Sequence, residues 1–96
     1  MDTNEASPDS LARLFKALSS GTRISLLRLL KGRSLCVGAL AARLGVSQSA
    51  VSQHLQVLSS AGLVEAERRG YYTHYRVSEE GLEACARALD ELARGE

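Results

Sequence analysis

Apolar residues recur with two different periods along this chain, and the change of period divides it. Leu11, Leu14, Phe15 and Leu18 stand at i, i+3, i+4 and i+7, the spacing of one helical face. Ser7-Pro8 precedes them as an N-cap with proline at the first helical position. Ser19-Ser20-Gly21 breaks this helix, and Thr22 is placed to cap a second through Ile24, Leu27 and Leu30 that stops at Gly32. Ser34 is placed to cap a short third helix bearing Val37, Leu40, Ala41 and Leu44, ended by Gly45. Ser47 opens a fourth, with Val51, Leu55 and Leu58 inward, closed by Ala61-Gly62. Alternation then replaces the helical period. Leu63 to Arg68 reads as a strand, Arg69-Gly70 as the turn signal, and Tyr71 to Val77 as the returning strand. Ser78 caps a last helix to Arg94, with Leu82, Cys85, Ala86, Leu89 and Leu92 on one stripe. The predicted fold is mainly α with a small β-hairpin: four helices, two strands, one helix. Residues 1–6, small and polar, are expected to be a disordered tail, and 7–94 a single domain.

Composition narrows the class. The chain has 96 residues, 45% apolar and 24% charged, which is ordinary for a globular domain and excludes disorder for most of it. No apolar run approaches the roughly 20 residues of a membrane span, and no signal peptide opens the chain, so the expected compartment is the cytoplasm. Two cysteines, Cys36 and Cys85, are too few for a disulfide scaffold. One proline, three tyrosines and one phenylalanine argue against a β-rich domain and against an aromatic base-stacking platform. So small a chain buries a modest share of its surface, and dimerisation would add to it.

Charge adds a direction. The net charge of +1 conceals a stretch from Ser10 to Val64 without any Asp or Glu. That stretch carries Arg13, Lys16, Arg23, Arg28, Lys31, Arg33 and Arg43. A segment of one sign sets up a local field suited to a polyanion. Within it, two short helices meet at Leu44-Gly45-Val46-Ser47, the pattern of a helix-turn-helix, where glycine relieves a turn that a Cβ would penalise. The second of these helices divides its faces. Ser47, Gln48, Ser49, Ser52, Gln53 and Gln56 supply donors and acceptors for base edges and phosphates, opposite the apolar anchors. Arg68 and Arg69 stand near the hairpin tip, where a wing meets the backbone or minor groove of duplex DNA. His74 is expected to be an exposed strand residue.

These segments resemble the ArsR-type (ArsR/SmtB) family of bacterial winged helix-turn-helix repressors. The resemblance runs from about Leu11 to Leu92 and is carried by Phe15 to Ser19 with Thr22-Arg23-Ile24, Leu40 to Val46, Ser47 to Leu58 with Ala61 to Val64, and Tyr75-Arg76-Val77. It implies a homodimer joined through the first and last helices, with Leu11, Leu14, Leu82, Cys85, Leu89 and Leu92 at the interface. It also implies a DNA contact by His54, in a segment similar to the family's recognition helix, and repression at an inverted-repeat operator, lifted by an inducer. Sulfur-ligated sensors of the family carry Cys-Val-Cys where this chain has Cys36-Val37-Gly38, so the second thiol is missing. One thiol does not make the three- or four-ligand set a soft metal needs. The last helix has carboxylates but no histidine for a zinc site. Three readings stand: Cys36 and Cys85 form a thiol switch for redox or sulfur species, they jointly bind a soft metalloid such as As(III) with Cys36 as a ligand, or neither senses anything and a small molecule or partner is the signal. No cofactor is otherwise expected.

Two rival classes make different predictions. An enzyme would need a phosphate loop, nucleophile elbow or paired carboxylates in a cleft, and none is present. A protein-interaction module on the same fold would bind DNA weakly or not at all, without the steep salt dependence of a repressor.

Overall fold

The computed structural model of the chain describes residues 7–95; the tail expected at 1–6 lies outside them. Its elements are α1 (Pro8–Ala17), α2 (Gly21–Leu30), β1 (Leu35–Cys36), α3 (Val37–Leu44), α4 (Gln48–Ser60), β2 (Val64–Arg69), β3 (Tyr72–Val77) and α5 (Glu79–Arg94). Hydroxyl caps start four of the five helices. Ser7, Ser47 and Ser78 accept from the backbone N–H groups of Ser10, Ala50 and Gly81, as expected of serine at these positions. The cap of α2 is Ser20 rather than Thr22: Ser20 has the extended backbone, and its Oγ accepts from Arg23 N at 3.2 Å. Gly21 therefore begins α2 instead of ending α1.

The region before α3 differs from the expected helix start. Ser34 caps nothing there; Cys36 is the N-cap, without a side-chain capping bond, and Leu35–Cys36 form a short strand. This strand pairs with β3, Leu35 opposite Tyr75 and Cys36 opposite His74, so the hairpin becomes an antiparallel sheet ordered β1-β3-β2. The turn lies one residue beyond the expected dipeptide. Arg69 pairs with Tyr72, and Gly70-Tyr71 form a two-residue loop with Gly70 at φ +62°.

Seven side chains are the most fully buried: Leu26 and Leu30 of α2, Leu40 of α3, Val51, Leu55 and Leu58 of α4, and Leu63. Val64 and Val77, partners across the sheet, close the core from the wing side. The first and last helices add little to it, for Ala17 is the buried residue of α1 and Cys85 that of α5. The N-terminus of α5 is nevertheless pinned. Ser78 N donates to Leu63 O at 2.9 Å, and Gly81 lies directly against the backbone of Gly62.

Candidate nucleic-acid interface

The turn between α3 and α4 is built as the sequence suggests. Gly45 has φ +69° and its N–H donates to Ala41 O at 2.9 Å, closing α3 in a left-handed cap. Val46 and Ser47 then lead into α4. Val51, Leu55 and Leu58 fix that helix on the core, while Gln48, Ser49, Ser52, Gln53 and Gln56 are all exposed. The capping bond of Ser47 occupies an acceptor lone pair and leaves its O–H free to donate outward. The exposed face thus carries hydroxyls and amides and no carboxylate, a surface able to pair with base edges and phosphates alike.

His54, expected to contact DNA, is tied to the rest of the protein through one ring nitrogen. Its ring is half-buried, and Nδ1 lies 3.1 Å from Arg23 Nη1. A guanidinium only donates, so Nδ1 accepts. Arg23 Nε also donates to Ala17 O at 2.6 Å, and Nη2 donates to Lys16 O at 3.1 Å. Arg23 thereby joins the end of α1 to the middle of α4. Its role was not visible in the sequence, because the two partners on α1 and the one on α4 meet only in the fold.

At the wing, Arg68 and Arg69 are exposed near the tip as expected, but each is engaged. Arg68 Nε donates to Gly70 O at 3.0 Å, and Arg69 Nη2 lies 3.2 Å from Glu67 Oε1. Both members of that ion pair are about half exposed, so water and salt weaken it and DNA can compete for the arginine. Tyr71, in the loop, is 95% exposed. Reading the loop as Gly70-Tyr71 rather than Arg69-Gly70 is the signal that would have found it.

The two thiols are free and sit in unlike surroundings. Cys85 is buried on α5, and that burial pushes its pKa up, which disfavours the thiolate. Cys36 is half-buried at the N-cap of α3. His74 stands opposite it and Glu67 opposite His74, so the three occupy one rung of the sheet. His74 is half-buried rather than exposed, and its Nδ1 is buried without a hydrogen-bond partner. This rung does not fit a soft metal ion. It offers a single sulfur, and Glu67 is taken by Arg69. Among the described residues no group of three or more His, Cys, Asp and Glu side chains is arranged to hold a metal.

The apolar stripe expected on the last helix is present and only partly covered. Leu82 packs against the core, whereas Leu89 and Leu92 are 54% and 63% exposed. Leu11 and Leu14 of α1 face Ala84 and Ala88 of α5 across an open groove of about 260 Å³. Among the described residues, no helix is long and apolar enough to cross a membrane.

Known proteins share this arrangement. The profile of the family described as "Bacterial regulatory protein, arsR family" matches residues 20–66. The HTH-type transcriptional regulator CmtR of Mycobacterium tuberculosis is 40% identical over 94 residues, covering 98% of this chain and 77% of CmtR. The HTH-type transcriptional regulator Rv0324 of the same species is 40% identical over 81 residues, 84% of this chain, which spans only 36% of that longer protein. The solution structure of the homodimeric winged helix-turn-helix DNA-binding domain of Mb0332 from Mycobacterium bovis, a possible ArsR-family regulator, superposes with a TM-score of 0.74 at 38% identity. That match covers 86% of this chain and 81% of the fragment. With four helices before the β2–β3 hairpin, a glycine-turned helix pair and a two-stranded wing, the chain belongs to the ArsR family of bacterial winged helix-turn-helix transcriptional regulators.

Proposed function

We propose that this protein is a sequence-specific DNA-binding repressor that acts as a homodimer on an inverted-repeat operator and is released by an inducer. It works by binding, with no catalytic step, on DNA in the cytoplasm. The observation that carries this reading is α4: a helix held by three buried residues on one side and presenting five exposed amide and hydroxyl side chains on the other. Arg13, Lys16 and Arg23 line a cleft together with Gln53 and Gln56 of this helix. The similarity to CmtR and to the homodimeric Mb0332 domain supports a DNA-binding regulator that pairs with itself, and the exposed leucine pair of α5 supports the pairing.

The test is fluorescence anisotropy on DNA from upstream of the protein's own gene across a salt series. Affinity is expected to fall steeply with salt, since each phosphate neutralised releases condensed counterions. Gln53→Ala should change the preferred sequence and cost about 1–3 kcal/mol at one base pair. Arg69→Ala should weaken all sequences alike and flatten the salt slope by about one contact. Identical behaviour of the two variants would remove α4 from the major groove, and salt-independent or absent binding would favour an interaction module.

For the inducer, a second reading rests on Cys36. It is the more accessible thiol, and it occupies the N-cap of the helix that packs on α4. Modification there adds bulk at the start of α3 and shifts the pair. Treatment with a disulfide should then lower operator affinity in wild type and in Cys85→Ser but leave Cys36→Ser unchanged. If Cys36→Ser responds as wild type does, the thiol reading is finished.

A further inference from the structure

Between α1, the start of α2 and α4 lies an open cleft of about 460 Å³, within the usual range of about 300–1,000 Å³ for small-molecule sites. Its charge is one-sided. Arg13, Lys16 and Arg23 line it and no carboxylate does. Among the described residues the ion pairs are Lys31–Glu79, Arg69–Glu67, Arg76–Glu65 and Arg94–Asp90, none of them in this cleft. Three cations therefore line one cleft without a counter-charge among the described residues, an arrangement that an anion relieves.

One of them is already fixed. Arg23 spends three N–H groups on Ala17 O, Lys16 O and His54 Nδ1, which leaves two of its five donors for an external acceptor. A guanidinium held this way loses little conformational freedom when it binds a carboxylate. Beside Gln53, Gln56 and Ser60, the rest of the lining is apolar. Ala17, Val57 and Ala61 line it, and Val57 is 41% exposed. A bare inorganic ion would leave that surface wet. A carboxylate carried on an apolar body would use both halves.

We propose that this cleft binds a small organic monocarboxylate with an apolar body, and that its occupancy weakens DNA binding. The coupling is direct, because Gln53 and Gln56 line the cleft and also belong to the exposed face of α4. The opposite wall is α1, so the ligand bridges a helix of the subunit interface and the DNA-reading helix. This inference rests on the repressor reading above and names the chemistry of its inducer.

The probe is 2-naphthoate, titrated into the DNA-free dimer and followed by its own fluorescence and by amide NMR shifts. Saturable binding is expected, with shifts confined to Arg13–Arg23 and Gln53–Ala61. Arg13→Gln combined with Lys16→Gln should weaken it roughly tenfold, two charge-assisted contacts being lost. Both side chains are exposed, so the fold should persist, which the NMR spectrum itself reports. In the operator titration, naphthoate should lower DNA affinity for wild type and much less for the double variant. No saturable binding, or equal displacement by inorganic phosphate, would make the cleft a seat for the DNA backbone and overturn the proposal. So would naphthoate that binds while DNA affinity stays constant. Failure of the repressor reading looks different: naphthoate binds with the same shifts, and no DNA binds in any state.

Discussion

Gly81→Ala unfolds with about 2–3 kcal/mol less free energy than the parent, although alanine is the better helix former by about 1 kcal/mol. A Cβ at position 81 would overlap the carbonyl oxygen of Gly62 and stand 3.0 Å from its carbonyl carbon. Both neighbours are backbone and cannot swing aside as a side chain would. Gly62 itself has φ +77°, so the turn after α4 is held in a conformation with few alternatives. The start of α5 must move instead. That movement strains the bond from Ser78 N to Leu63 O and the cap that Ser78 Oγ provides to Gly81 N. The clash outweighs the propensity gain because it displaces a whole helix end rather than one rotamer. Urea or thermal melts at a fixed protein concentration measure it, with a drop in Tm of about 10 °C or more expected for a domain of this size. An alanine variant as stable as the parent would refute the close approach.

That contact also marks where the sequence stops being readable. Local periodicity located α4 and its inward residues, because Val51, Leu55 and Leu58 repeat within three turns of one helix. Gly45 was legible for the same reason: the turn it serves joins immediate neighbours. Features that depend on distant parts of the chain were not. The strand Leu35–Cys36 is too short to show alternation, and its partner residues are Tyr75 and His74 on the far side of the helix pair. Ser20 and Thr22 both offer a hydroxyl at the start of α2, and only the backbone conformation separates them. The family resemblance assigns His54 to DNA, but its bond to Arg23, thirty-one positions away, is a tertiary feature that no local pattern displays. The cleft was half legible. Its lack of acids is a plain fact of the sequence, but the packing of α1 beside Val57 had to be seen.

Leu89→Glu should convert the dimer to a monomer and lower operator affinity by roughly 100-fold or more, since two linked half-sites become two separate binding events. Leu89 is 54% exposed in the single chain and lies outside its core, so the charge does not unfold the protomer. It matters only if a second copy covers it. Burying Leu89 and Leu92 of both copies against α1 and α5 removes apolar surface worth about 25 cal/mol per Å². An ionised carboxylate introduced there would have to be desolvated or left facing its symmetry mate, and either cost exceeds what one leucine contributes. Sedimentation equilibrium gives the oligomeric state, circular dichroism the fold, and anisotropy the DNA affinity, all on one preparation. A folded monomer with weak, still salt-dependent DNA binding is the expected triad. A variant that stays dimeric would move the interface off α5, and a monomer with undiminished operator affinity would mean that DNA is bound by single subunits.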